Sequence, residues 1–260
     1  MRVSLARGVI VGAALAGLWA SAPGLASAAE SVTLHTSFSP DRLGASTTIG
    51  FGFSIATTDD GAPPPLESVD LNMPAGINYL STTLGLAICQ PAALLAKGLA
   101  GCSPNSRLGF GSAYVEVPFG RGAGREIPNI QALMGPPHNG NIVVLFYANG
   151  LEPVYAQIVF EGELIAGTQT LGGSLDTAVP LVPSVAGGPP VSIVRVNATI
   201  GPAGLTYYEQ VRGRTVSFHP QGVSVPSRCP RGGFAFSARF AFADGTSALA
   251  RSDVPCPRRS

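Results

Sequence analysis

From residue 31 onward the apolar side chains of this chain recur at every second position. In STTIGFGFSIAT (46–57), Ile49, Phe51, Phe53 and Ile55 fall on one face, with glycine and serine between them. SVTLHTSF (31–38) and SVDLNMP (68–74) alternate in the same way. RLGFGSAYVEVP (107–118) does so more loosely, with Tyr114 and Glu116 on one side and Val115 and Val117 on the other. Further strands are expected over VYAQIVFEGEL (154–164), VSIVRVNATIG (191–201) and VRGRTVSFHP (211–220). NIVVLFYA (141–148) is an unbroken apolar run, the pattern of a strand buried on both faces.

The last strands carry the clearest pattern. In CPRGGFAFSARFAFADGTSALARSDVPC (229–256), Phe234, Phe236, Ala238, Phe240 and Phe242 share one face, and Asp244-Gly245 marks a hairpin turn. A three-residue loop, Asp244-Gly245-Thr246, pairs Phe242 with Ala248, Phe240 with Ala250 and Phe236 with Val254. It places Cys256 opposite Phe234 on the buried side and sets Arg239 against Arg251. One segment departs from the period of two. CQPAALLAKGLAGC (89–102) reads as a short helix, with Pro91 at its first position and Gly98 at its stop.

About ten strands separated by Gly, Pro and Asn predict an all-β fold. The expected form is a two-sheet antiparallel sandwich, immunoglobulin-like or jelly-roll, with a barrel as the alternative. Two Gly/Pro-rich stretches, 119–140 and 180–190, are expected as loops. The first is also the place of any subdivision of an otherwise single unit spanning 29–260.

The N-terminus has a different pattern. Arg2 and Arg7 precede an apolar stretch at 8–20, and Ala26-Ser27-Ala28 is a small-x-small cleavage site. This is the layout of a secretory signal over residues 1–28. The apolar stretch is shorter than the roughly 20 residues a membrane span requires. The mature chain is expected to start near Ala29, outside the cytoplasm, in the cell envelope or beyond it.

Export changes how the four cysteines are read. An even count in an oxidising compartment implies disulfides. Four cysteines allow three pairings, and proximity in sequence favours Cys89–Cys102 and Cys229–Cys256. The spacings lack the short chelating pattern of a zinc site, and CxxC is absent.

Composition narrows the functional classes. The full chain carries 16 basic and 15 acidic residues. Removing Arg2 and Arg7 leaves 14 basic against 15 acidic, so no nucleic-acid partner is expected. Motifs for serine hydrolases, zinc proteases, EF-hands, phosphate loops and dinucleotide folds are absent, so no catalytic residue, metal or cofactor is assigned. The sharpest candidate is FEGEL, where Glu161 and Glu163 share one face of a strand. Paired carboxylates could serve a glycosidase or bind calcium, but two charges on a solvated face are the simpler reading. Tyr207-Tyr208-Glu209 offers an aromatic platform for sugar or peptide, with packing at a strand end as the alternative. Asp59-Asp60-Gly61 reads as a turn. Asn197-Ala198-Thr199 matches a glycosylation sequon but falls mid-strand.

The ordered set Met73-Pro74-Ala75-Gly76-Ile77, Cys89, CSPNSRLGFGSA from Cys102 and FADGTSALARSDVPCP at the end resembles uncharacterised secreted, disulfide-containing all-β proteins of high-GC bacteria. The resemblance implies export, two disulfides and an all-β fold, and it carries no site residue.

The functional expectation is a non-catalytic secreted or envelope-associated protein with a binding, adhesion or structural role and an envelope glycan or protein as partner. The alternative is a carbohydrate-binding or carbohydrate-active protein using Glu161, Glu163, Tyr207 and Tyr208. Expression in a host with working export should yield a mature chain beginning near Ala29 by N-terminal sequencing. A retained leader would contradict the signal reading.

Overall fold

The computed structural model describes residues 30–56, 61–79, 82–120, 122–167 and 171–257. The signal segment up to residue 29 and the Asp59-Asp60 pair lie outside them. The chain enters through β1 (Ser31–Ser39), β2 (Thr48–Ala56), β3 (Leu66–Pro74) and the short β4 (Asn78–Tyr79). Helix α1 (Pro91–Lys97) follows, then β5 (Arg107–Phe119), β6 (Gly122–Glu126), β7 (Asn129–Met134), β8 (Ile142–Gly150) and β9 (Ala156–Ala166). The second half holds β10 (Leu171–Ala178), β11 (Ser192–Ile200), β12 (Tyr207–Val211), β13 (Arg214–Phe218) and β14 (Val223–Ser224). It ends with β15 (Phe234–Phe242) and β16 (Ser247–Val254).

Eleven strands run side by side in one antiparallel sheet, in the order β1-β2-β11-β5-β7-β8-β9-β10-β3-β15-β16, with β6 paired to β5. The all-β class and the antiparallel pairing are as the alternation implied. The two separate face-to-face sheets of a sandwich are not found. The ladders run unbroken from β1 to β16, and the sheet curls until those two strands lie alongside each other. At this seam the Thr36 amide and hydroxyl both meet Ser252 Oγ, at 3.1 and 2.9 Å. The result is a nearly closed barrel, a form that leaves few strand edges unpaired.

Inward rows follow the period of two. Phe53 and Ile55 on β2 are buried, as are Phe234, Phe236, Ala238, Phe240 and Phe242 on β15. The two ends of the sheet meet through rings. Phe38 packs on Phe234 and Phe236 with centroids 5.4 and 6.0 Å away, and Phe53 on Phe240 at 4.9 Å. Such edge contacts add about 0.5–1.5 kcal/mol each beyond area burial.

The β15–β16 hairpin keeps the expected faces but not the expected register. Phe240 pairs with Ala248, Phe236 with Ser252 and Phe234 with Val254, a shift of two residues. The loop is Ala243-Asp244-Gly245, closed by the Phe242 amide donating to the Thr246 carbonyl at 3.0 Å. A three-residue hairpin loop puts its left-handed residue last, and Gly245 (φ +82°) takes that place. Asp244 Oδ1 accepts from the Thr246 amide and hydroxyl at 2.9 and 2.7 Å, which fixes the turn. The shift sets Arg239 against Leu249, so the expected Arg239–Arg251 repulsion does not arise. It also carries Cys256 past the end of the strand, where it is exposed rather than buried opposite Phe234.

Two other expectations change. The Gly/Pro-rich stretch 119–140 supplies β6 and β7, and β7 sits inside the sheet between β5 and β8. Its alternation (Ile130, Ala132 and Met134 against Gln131 and Leu133) is only six residues long and was hidden by the prolines around it. The segment 211–220 is not one strand. It turns at Arg212-Gly213, with φ of 50° and 77°, to form the β12–β13 hairpin.

Strand β8 is apolar on both faces, as its sequence demanded. Val144, Phe146 and Ala148 face inward, while Val143, Leu145 and Tyr147 are covered from outside by α1 through Leu94. That helix starts at Pro91 and ends at Gly98 as expected, and its seven residues are too few to be stable alone. The Cys89–Cys102 disulfide brackets it, with Cα atoms 5.1 Å apart. Cys229–Cys256, at 5.8 Å, ties the approach to β15 to the exit from β16. In the loop-entropy model each link contributes about 3–4 kcal/mol.

Phe240 is fully buried at the seam between the sheet's two ends. Phe240→Ala should therefore lower stability by about 3–5 kcal/mol in denaturant unfolding, while Leu249→Ala, on the outer face, should cost less than about 1 kcal/mol. Equal losses would contradict this packing.

Candidate functional site

The carboxylates singled out in the sequence lie on the outside of the barrel. On β9, Ile158, Phe160 and Leu164 face the interior, so Glu161 and Glu163 point outward with Gln157 and Val159. Glu161 is exposed. Glu163 accepts a hydrogen bond from Asn141 Nδ2 at 2.7 Å and lies 3.6 Å from His138 Nδ1. The Asn141 bond holds the Glu163 carboxyl below the usual range, with a smaller effect from His138.

The sheet register places Glu163 beside Asp176, Asp176 beside Asp70 and Asp70 beside Arg239. This outer row of acids was not foreseen, because Asp70 on β3 is brought beside Asp176 on β10 only by the pairing of strands distant in sequence. Burial raises the Asp70 pKa, Asp176 adds to that, and Arg239 opposes both. No group of acidic, His or Cys side chains among the described residues is arranged to hold a metal ion.

The two tyrosines separate. Tyr207 is fully buried; its hydroxyl donates to the Arg107 carbonyl and accepts from the Gly85 amide at 3.0 Å. It is a packing residue and offers no platform. Tyr208 is 47% exposed, and its backbone is held by Asn105, whose Nδ2 and Oδ1 bond its carbonyl and amide at 2.7 and 2.8 Å. Neither tyrosine and neither glutamate lines a described cavity.

An apolar cavity lies inside the barrel, and no sequence motif pointed to it. The inward rows of β2, β3, β5, β7–β11 and the end of β6 line a cavity of about 540 Å³. Its wall is aliphatic and aromatic, with Phe51, Ile130, Phe146, Ile158, Phe160 and Ile193 among its residues. Ile49 and Phe51 line it as half-buried residues that also pack against the core, the Phe51 ring lying 6.0 Å from that of Phe53. Glu126 is the one charged residue in the described lining. Tyr79 and Asn141 also line it, but their polar groups are engaged, the Tyr79 hydroxyl donating to the Leu84 carbonyl at 3.1 Å and Asn141 bonding Glu163. Exposed residues lie at both limits of the lining, Pro180 and Leu181 at one and Ile165 to Gly167 at the other.

A second depression lies on the outer surface across β1, β2, β11, β5 and β7. It is lined by His35, Ser37, Asn197, Thr199, Ser112 and Phe110, over Gly50 and Gly52. Comparison with known proteins finds no matching family model, no matching curated protein and no matching solved structure.

The pH dependence at Glu163 has a defined sign. Its carboxylate is favoured in the folded protein, so its contribution to stability is present above the ordinary Glu pKa of about 4.3 and is lost as pH falls through the lowered value. In a carboxyl NMR titration its midpoint should lie below the ordinary Glu value, and Asn141→Ala should raise it. A Glu163 midpoint unmoved by Asn141→Ala would contradict the assigned cause.

Proposed function

We propose that this chain is an exported, non-catalytic binding protein whose ligand is an apolar small molecule held inside the barrel. The observation that carries this reading is the apolar cavity of about 540 Å³. Ligand sites of about 300–1,000 Å³ with predominantly apolar walls are usual for small molecules, and an apolar cavity of this kind does not hold water well.

The distribution of polarity supports it. Outer positions carry Thr33, His35 and Ser37 on β1, Asp70 and Asn72 on β3, and Arg251 and Asp253 on β16, while the inner rows are apolar. This is the arrangement of a barrel with water outside, the inverse of one that faces lipid. The two disulfides accord with the oxidising compartment to which a leader at 1–28 would send the chain. A sugar-directed role for Glu161, Glu163, Tyr207 and Tyr208 has less support, since Tyr207 is sealed and the glutamates share no cleft with an aromatic wall.

The test is binding of the neutral apolar fluorophore N-phenylnaphthylamine. The mature chain should give a saturable rise in fluorescence. Ala148→Trp, which fills the cavity from an inward position on β8, should weaken binding by roughly tenfold or more, about 1.4 kcal/mol, with the circular-dichroism spectrum unchanged. No saturable signal, or one that Ala148→Trp leaves intact, would overturn the proposal.

A further inference from the structure

The apolar wall of the cavity holds one carboxylate that nothing in the described protein answers. Glu126 is 7% exposed, and its Oε1 has no hydrogen-bond partner. It ends β6 opposite Val115, an inward residue of β5, and the shared register turns both into the cavity. Room is made for it by Gly150 at the end of β8, where any Cβ would collide with Glu126 Oε1. No Lys, Arg or His lines the cavity among the described residues.

A carboxylate removed from water without a donor is costly, and the cost is offset when a donor is supplied. Val115, Pro128 and Val154, which line the cavity with it, have no hydrogen to donate from their side chains. The donor must come from whatever fills the cavity. We infer that Glu126 anchors the polar end of the ligand, and that the ligand is an amphiphile: an apolar body ending in a hydrogen-bond donor, either a hydroxyl or an ammonium group. A ligand ending in a carboxylate is the poorer match, because it would set two acid groups side by side in an apolar site. This inference rests on the cavity being the binding site.

The experiment is displacement of bound N-phenylnaphthylamine from the mature chain by dodecylamine, dodecanol and dodecanoate at neutral pH, each below its micelle concentration. A hydrogen bond to a charged group corresponds to about a 10- to 100-fold change in affinity. Dodecylamine and dodecanol should therefore displace the probe at about tenfold lower concentration, or less, than dodecanoate. Glu126→Leu should abolish that difference while retaining the fluorophore. Glu126→Gln, close in shape and neutral, should keep dodecanol binding and lose the advantage of the amine. Thermal unfolding gives a second readout: Glu126→Leu should raise Tm, whereas a carboxylate needed only for folding would lower it on removal. Three equal displacement curves on the wild-type chain, or a preference that survives Glu126→Leu, would overturn the anchor while leaving the cavity proposal standing. Failure of the fluorophore to bind the wild-type chain would overturn both.

Discussion

The contact on which the barrel depends is the one between the sheet's two ends. Strands β1 and β2 open the chain and β15 and β16 close it, and no backbone ladder among the described residues joins β1 to β16. What holds them is the packing of Phe38 on Phe234 and Phe236, and of Phe53 on Phe240, with the Thr36–Ser252 bonds at the rim. These contacts lie more than 180 residues apart in sequence, so they form only once the intervening strands are in order. The Cys229–Cys256 link keeps the last hairpin aligned for that closure, with Cys229 packed against the edge of the core and Cys256 exposed.

Closure at one side leaves room at the other. The phenylalanines of β15 fill the barrel next to the seam, where Phe234 to Phe242 leave almost no surface exposed. Across the interior, β8 and β9 present small residues to the cavity, among them Ala148 and Ala156, while Leu175 of β10 reaches the phenylalanine cluster. The cavity is the space between a tightly packed wall and an under-filled one. Close-packed interiors seldom leave a void of this size without a use for it. A buried carboxylate set over Gly150 in that void makes the same point in chemical terms.

The sequence was most informative where one element decides its own pattern. The alternation of β2 and β15, the two apolar faces of β8 and the limits of α1 all follow from local spacing, and each lies where the spacing put it. Register was legible only to within two residues, because it turns on which loop position Gly245 occupies. β7 escaped notice because six alternating residues between prolines look like a loop until the neighbouring strands supply its hydrogen bonds. The curling of the sheet and the cavity depend on contacts between distant strands, and inward residues around a void have the same composition as residues in a filled core. Glu126 gave no signal, since REIPNI reads as a polar bend and its burial comes from the strands around it. Glu161 and Glu163, by contrast, had a local pattern that correctly placed both on one face, and that face is the outer one.

The central claim is that the barrel interior holds one apolar guest. Native mass spectrometry of the mature chain, mixed with an excess of dodecylamine and dodecanol, tests it most directly. The account predicts a single adduct per chain that saturates at one-to-one and is lost in Ala148→Trp. Adducts that keep accumulating with concentration, or an adduct that Ala148→Trp retains, would place the apolar site elsewhere and contradict it.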